Sequence, residues 1–129
     1  MSRWYKSRNK YGAKKVTVDG VTFDSEGEYG RHCELVILER AGIISDLEHQ
    51  PVYELQPKFK SGITGKAIQA ITYRPDWRYI EGGRLIAEDF KGFETAAFKR
   101  TKKMFRYKYP DIPLKITSKT KGVHSEYTY

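Results

Sequence analysis

The sequence predicts an α/β fold: a single domain with a mixed central β-sheet flanked by helices. Three observations carry the prediction. Short β-branched or aromatic segments pair across glycine turns at Asp19-Gly20 and Gly82-Gly83. Two longer segments, one from Ser25 and one over Glu94–Tyr109, carry apolar residues at helical spacing. The order of elements is hairpin, helix, several strands, helix, strand, which suits a layered sheet rather than a bundle or a sandwich. At 129 residues the chain is ordinary for one domain and can bury a core without staples.

Residues 1–14 show no apolar period and read as a basic arm with interleaved Trp4, Tyr5 and Tyr11. Lys15–Val18 and Val21–Asp24 form the first hairpin. Ser25 opens the first helix, and Ser25 with Glu28 fits a capping box. Its inner stripe is Tyr29, Cys33, Val36 and Ile37, and Ala41-Gly42 stops it. Val52–Leu55 and Ile68–Tyr73 are short strands, with a mobile loop over Lys60–Lys66 between them. Trp77–Ile80 and Leu85–Phe90 make the second hairpin. The second helix buries Ala97, Phe98, Thr101, Met104 and Phe105, and Pro110 ends it. Leu114–Thr117 is the last strand. Residues 118–129 read as a loose polar tail, so the domain proper runs over residues 15–117.

Several function classes fall away. A single cysteine, Cys33, excludes an internal disulfide, and its place on the helix stripe suits core packing better than nucleophilic chemistry. His32, His49 and His124 share no ligand spacing, so zinc is not expected. The longest apolar run is Leu35–Leu38, too short to span a membrane, and the basic N-terminus lacks the apolar stretch of a secretory signal. A cytoplasmic protein is expected, without a membrane partner or a small-molecule substrate.

Charge points to a polyanion. Lys and Arg total 24 against 16 acids, a net +8. The charge is segregated: +6 over residues 1–15, −7 over 16–56 and +9 over 57–129. Arg3, Lys6, Arg8, Lys10, Lys14 and Lys15 on the arm, with Lys99, Lys102, Lys103 and Arg106 on the second helix, are the candidate DNA contacts.

The Gly82-Gly83 hairpin fixes a register. Glu81 faces Arg84, Ile80 faces Leu85, Tyr79 faces Ile86, and continuing, Asp76 faces Asp89. Lys91 shares the face of Asp89, along with the apolar Ile80, Leu85 and Ala87. Two opposed carboxylates about 5 Å apart repel unless one has a raised pKa, a cation lies between them, or both; a divalent metal is the natural answer. Carboxylate oxygens suit Mg²⁺ or Mn²⁺, completed by water and substrate phosphate. Lys91 is then placed to contact a phosphate or orient a water. A metal, two acids and a lysine beside a basic surface are the parts for phosphodiester hydrolysis. Read singly, Pro-Asp is a common turn and Asp-x-Lys a solvated pair; the register, the apolar face and the charge together favour function.

Pro75-Asp76 and, after the hairpin, Asp89-Phe90-Lys91 resemble the PD-(D/E)xK nuclease motif. Tyr11-Gly-Ala-Lys-Lys15, Phe23-Asp-Ser-x-x-Glu28, Leu47-Glu-His-Gln-Pro51 and Glu88-Asp-Phe-Lys-Gly92 are similar to a phage-associated family of small PD-(D/E)xK-like proteins. The resemblance runs from Tyr11 to Tyr109. It implies a restriction-endonuclease-like core and a metal-dependent DNA endonuclease, with archaeal-type Holliday-junction resolvases among the similar small members. It assigns Asp76 and Asp89 as metal ligands, with Asp89 standing where Glu is common, and Lys91 as the motif lysine. Glu28 matches the acid such nucleases carry on their first helix, as a further catalytic and metal-binding residue, although a capping box explains it too. Glu26 is the fallback, and Glu88 points to the other face of its strand. Gln50 sits in the family-like segment that approaches the site.

The expected activity is therefore Mg²⁺- or Mn²⁺-dependent, structure-selective cleavage of branched DNA in phage recombination or DNA processing. A four-way junction leads as substrate, because no element reads as a base-specific module. Its two-fold symmetry suits a homodimer with two sites. Two rival readings stay open: a non-catalytic nucleic-acid-binding protein on a nuclease fold, and a nuclease subunit that needs a partner.

Overall fold

The computed structural model describes residues 6–8, 14–120 and 122–129. Arg3 and Lys10 lie outside these residues. The chain falls into two compact units, Met1–Ser45 and Asp46–Tyr129.

In the first unit, β1 (Lys6–Arg8), β2 (Lys14–Val18) and β3 (Val21–Phe23) form an antiparallel meander. The arm expected over residues 1–14 thus contributes a strand, pairing Lys6 with Val16 and Arg8 with Lys14. Asp19 and Gly20 both take positive φ, 51° and 79°, as a two-residue hairpin turn of the type that matches strand twist requires. Helix α1 (Glu26–Arg40) packs on β2 and β3. Ser25 caps it, its hydroxyl accepting from the Glu28 amide at 3.0 Å. Gly42 ends it in the left-handed conformation, φ 77°, donating to the Glu39 carbonyl while Ile43 donates to that of Leu38. The buried line of α1 differs from the expected stripe. Leu35 and Glu28 are buried, whereas Ile37 is 63% exposed. Phe23 lies against the rings of Tyr29 and His32 at 5.2 and 5.0 Å, which turns that side of the helix inward.

The second unit is built on a mixed five-stranded sheet, ordered β12-β11-β10-β9-β4. Its strands are β4 (Ile44–His49), β9 (Trp77–Glu81), β10 (Arg84–Phe90), β11 (Leu114–Thr120) and β12 (Val123–Thr128). The α/β class stands. β9 and β10 form the expected hairpin, in the expected register from Glu81–Arg84 to Trp77–Glu88, around Gly82 and Gly83 at φ 59° and 76°. β10 and β11 run parallel, joined through α2 (Ala96–Lys108). Outside this sheet, β5 (Tyr53–Gln56) pairs with β8 (Ile71–Tyr73), and between them β6 (Phe59–Lys60) pairs with β7 (Ala67–Ile68).

Helix α2 buries Phe98 and Phe105 on the β10 and β11 face that carries Ala87, Leu114 and Ile116. Tyr53, Leu55 and Tyr73 from β5 and β8 complete this core. Phe105 is its hub, with the rings of Tyr53, Tyr73 and Tyr109 at 5.2, 5.6 and 5.3 Å. Truncating such a residue costs about 3–5 kcal/mol. Ala97, expected in the stripe, is exposed. The loose tail expected over residues 118–129 is instead the end of β11 and the edge strand β12, paired from Lys115–Thr128 to Thr120–Val123. Within the Lys60–Lys66 segment, Ser61 and Lys66 close a hydrogen-bonded turn.

Candidate active site

The site is set where β9 begins and β10 ends. The backbone ladder between them closes at Trp77–Glu88, one pair short of the predicted Asp76–Asp89 pair. There the Asp76 side chain takes over, its Oδ2 accepting from the Phe90 amide at 2.7 Å. The Asp76 carbonyl accepts from the amide of Gln50 at 2.8 Å, so the Gln50 backbone abuts the site from the end of β4. Gln50 holds a left-handed φ of 54° there, followed by the buried Pro51. Asp76, after the buried Pro75, is therefore pinned at both its main chain and its carboxylate.

Asp89 lies in the apolar face as predicted and is 1% exposed. Its Oδ2 accepts from the Tyr73 hydroxyl at 2.5 Å and lies 3.6 Å from Lys91 Nζ. Both contacts fall on Oδ2; among the described residues no donor reaches Oδ1. Lys91 Nζ also stands 4.7 Å from the centre of the Phe98 ring, with a third of its side chain open. Burial pushes the Tyr73 phenol far above its usual range, and the negative charges of Asp89 and then Asp76 push it further. Tyr73 thus stays a neutral O–H donor at any working pH. Asp76 and Asp89 flank the end of the β9–β10 ladder, where Asp76 Oδ2 meets the amide of Phe90, the residue next to Asp89.

Tyr73 was missed by sequence reasoning. Its position three residues before Asp76 gives no one-dimensional signal, because the contact to Asp89 depends on β8 crossing toward β10. The burial of Glu88 was legible in principle. It alternates to the face of Tyr79, whose hydroxyl donates to Oε1 at 2.7 Å, while the Thr117 hydroxyl donates to Oε2 at 3.2 Å.

Glu28 belongs to the other unit. It is 2% exposed, and its Oε2 accepts from the Asp24 amide at 3.0 Å, a capping role displaced by one residue from the standard box. Among the described residues no group of three or more His, Cys, Asp or Glu side chains is arranged to hold a metal ion. Within the second unit, Asp76 and Asp89 are the carboxylates at this site. Glu26 is exposed.

The expected DNA contacts divide. Lys14, Lys15, Lys99 and Lys103 are exposed. Lys6 and Arg8 lie on β1. Lys102 is committed elsewhere: it pairs with Glu94 at 2.6 Å, donates to the Tyr127 hydroxyl at 2.8 Å and has 11% of its side chain exposed. Arg106 is also committed, donating to the carbonyls of Tyr109, Ile112 and Tyr129. These two tie β12 and Tyr129 to α2. No described helix is long and apolar enough to cross a membrane.

Neither a curated protein nor a solved structure matches the chain. Over residues 8–125 it matches one family, and it belongs to it: the family described as protein of unknown function, DUF1064.

Proposed function

We propose that this protein is a divalent-metal-dependent DNA endonuclease that cuts branched DNA, with Asp76, Asp89 and Lys91 as its catalytic residues. One observation carries the reading. Two buried acids lie at the adjoining ends of β9 and β10, Asp76 bonded to the Phe90 amide next to Asp89, and Asp89 has a lysine 3.6 Å away. The donor set fits a hard cation of the Mg²⁺ or Mn²⁺ type. Among the described residues no donor reaches Asp89 Oδ1, and Mg²⁺ takes one or two carboxylates and fills its remaining positions with water and phosphate. Bound there, such an ion would neutralise phosphate charge and make water a stronger nucleophile.

The chain's own groups then have distinct tasks. Asp76 and Asp89 hold the cation, Asp76 fixed by the Phe90 amide and Asp89 by Tyr73. Lys91, partly open and steadied over Phe98, contacts a phosphate oxygen or orients the attacking water. The net +8 charge, with Lys14, Lys15, Lys99 and Lys103 exposed, supports a polyanionic substrate. A homodimer acting in the cytoplasm would supply the paired nicks that a four-way junction needs. A second reading is a DNA-binding protein that does not cut, for which the exposed Lys14, Lys15, Lys99 and Lys103 would serve equally.

A panel of labelled four-way, flap, nicked, single-stranded and linear DNAs, incubated with Mg²⁺ or Mn²⁺, tests the proposal. Cleavage of a branched form by the parent and not by Asp76→Asn is expected. Cleavage that survives in Asp76→Asn removes the site; binding without cleavage across the panel favours the second reading.

A further inference from the structure

Between β5 and β8 the chain leaves the core as a two-stranded ribbon, β6 and β7, with Phe59 opposite Ile68 and Lys60 opposite Ala67. Its end is tightly organised. The Ser61 hydroxyl accepts from the amides of Ile63 and Thr64 at 3.1 and 3.2 Å. The Ser61 amide donates to the Lys66 carbonyl, and the Gly65 amide to that of Ser61, both at 2.9 Å. Gly65 adopts φ 71°, a left-handed conformation that favours glycine. This turn holds Ile63 at the tip with its side chain 95% exposed.

A lone exposed isoleucine needs no explanation, but this one is not alone. Phe59, Ile68 and Ile71 are 46%, 41% and 43% exposed on the same ribbon and its root. Along the chain the flanking charge has one sign, although Glu54 on β5 stands opposite Thr72, next to Ile71. Between Glu54 and Asp76 the chain carries Lys58, Lys60, Lys66 and Arg74 and no acid. An apolar tip flanked only by cations is a poor match for an ordinary protein interface. It matches DNA that offers a gap between bases and phosphates on either side. The ribbon also springs from the strand that carries Tyr73. At about 3.3 Å per residue, the ten residues from Tyr73 to Ile63 reach at most ~33 Å, close to one turn of duplex.

We propose that residues 58–68 are a DNA-binding wedge: Ile63 enters an unstacked step at a branch point while Lys58, Lys60 and Lys66 hold the adjoining phosphates. The wedge would give the site its preference for branched DNA, because opening a step already unstacked costs least. It rests on the reading of the neighbouring site as DNA-directed, but not on cleavage.

The test uses the full chain with Ca²⁺ in place of Mg²⁺, and four-way junctions carrying 2-aminopurine at the branch point. Linear duplexes with the same probe are the control. The parent should raise fluorescence at the branch point alone. Ile63→Ser, a change at an exposed tip, should abolish that rise and weaken junction binding about tenfold or more while leaving the salt slope unchanged. Lys58→Gln with Lys60→Gln and Lys66→Gln should lower the slope of log affinity against log salt by about 2–3. Parent-like binding and fluorescence in both variants overturns the wedge. So does an Ile63→Ser variant that changes only the oligomeric state, which would assign the tip to contact between copies, and so does a parent that binds no DNA. Parallel Mg²⁺ reactions separate the two proposals. A parent that shows ribbon-dependent unstacking but never cuts retains the wedge and loses the nuclease reading. A parent that cuts while the variants bind and cut normally does the reverse.

Discussion

Glu88 and Asp89 are neighbours on β10, are both almost fully buried, and sit in opposite chemical situations. Glu88 faces the side of Tyr79 and Thr117, and each of its oxygens accepts from a hydroxyl. Asp89 faces the side of α2, with a hydroxyl and an ammonium on one oxygen, a second acid nearby and a lysine open to a ligand. The difference teaches that burial alone does not set the chemistry of a carboxylate. Under the proposed reading, what sets Asp89 apart is an oxygen left for a ligand beside another acid and a partly open lysine.

The largest expected effect breaks the comparison directly. Asp89→Asn keeps an acceptor for Tyr73 but removes the charge a cation needs. Cleavage should fall about 10³-fold, about 4 kcal/mol of transition-state stabilisation. Glu88→Gln should stay within about threefold of the parent per folded molecule. Single-turnover cleavage of one junction by both variants checks this, and equal losses would erase the distinction between the two faces.

Stability should show the reverse order. Glu88→Ala leaves the Tyr79 and Thr117 hydroxyls buried without their acceptor, which should cost about 2–4 kcal/mol in urea unfolding. Asp89→Asn, which opens no cavity, should cost about 1 kcal/mol or less. A Glu88→Ala protein as stable as the parent would show that the carboxylate is not structural.

Much of this was legible in the sequence where local rules act. Asp19-Gly20 and Gly82-Gly83 specify hairpins by their positive φ, and the second fixes the register that places Asp89 and Lys91 on one face and Glu88 on the other. Ser25 and Gly42 mark the ends of α1. The failures have one physical character. β12 is exposed along its whole length, so Val123–Thr128 has no buried face to impose alternation, and its strand state comes from pairing with β11. β4 has Asp46 in a left-handed conformation, which interrupts the period its neighbours would show. Lys102 and Arg106 read as candidate DNA contacts because their partners, Tyr127 and the Tyr129 carbonyl, are brought near only by that unforeseen edge strand.

A smaller effect sharpens the role of Tyr73. Tyr73→Phe removes the hydroxyl that fixes Asp89 and changes no ligand. A hydrogen bond to a charged group contributes about 1.5–3 kcal/mol, so cleavage should fall about 10- to 100-fold. If Tyr73 positions the acid for a cation, the Mn²⁺ concentration for half-maximal cleavage should rise as well. A protein that is merely less stable would cut more slowly at an unchanged Mn²⁺ requirement.

The smallest effect concerns two lysines that share one ring. Lys91 and Lys102 lie 4.7 and 5.7 Å from the centre of Phe98, one partly open beside Asp89, the other closed against Glu94 and Tyr127. Burial opposes ionisation of Glu94, but the hydrogen bonds from Lys102 and Tyr127 and the charges of Lys102 and Lys99 outweigh it and hold its carboxyl below the usual range. A depressed folded-state value means that the stabilisation is present above the unfolded value, near pH 4.5, and is lost as pH falls through the folded one. Glu94→Gln should therefore be about 0.5–1 kcal/mol less stable than the parent at pH 7, with the gap closing toward pH 3. Lys102→Gln should carry a similar cost at pH 7 without changing the salt slope of DNA binding, because Lys102 is already paired. Urea unfolding at both pH values, with binding measured at several salt concentrations, checks both. A gap that does not vary with pH would assign the contact to packing, and a lower slope in Lys102→Gln would return that lysine to the DNA-binding surface.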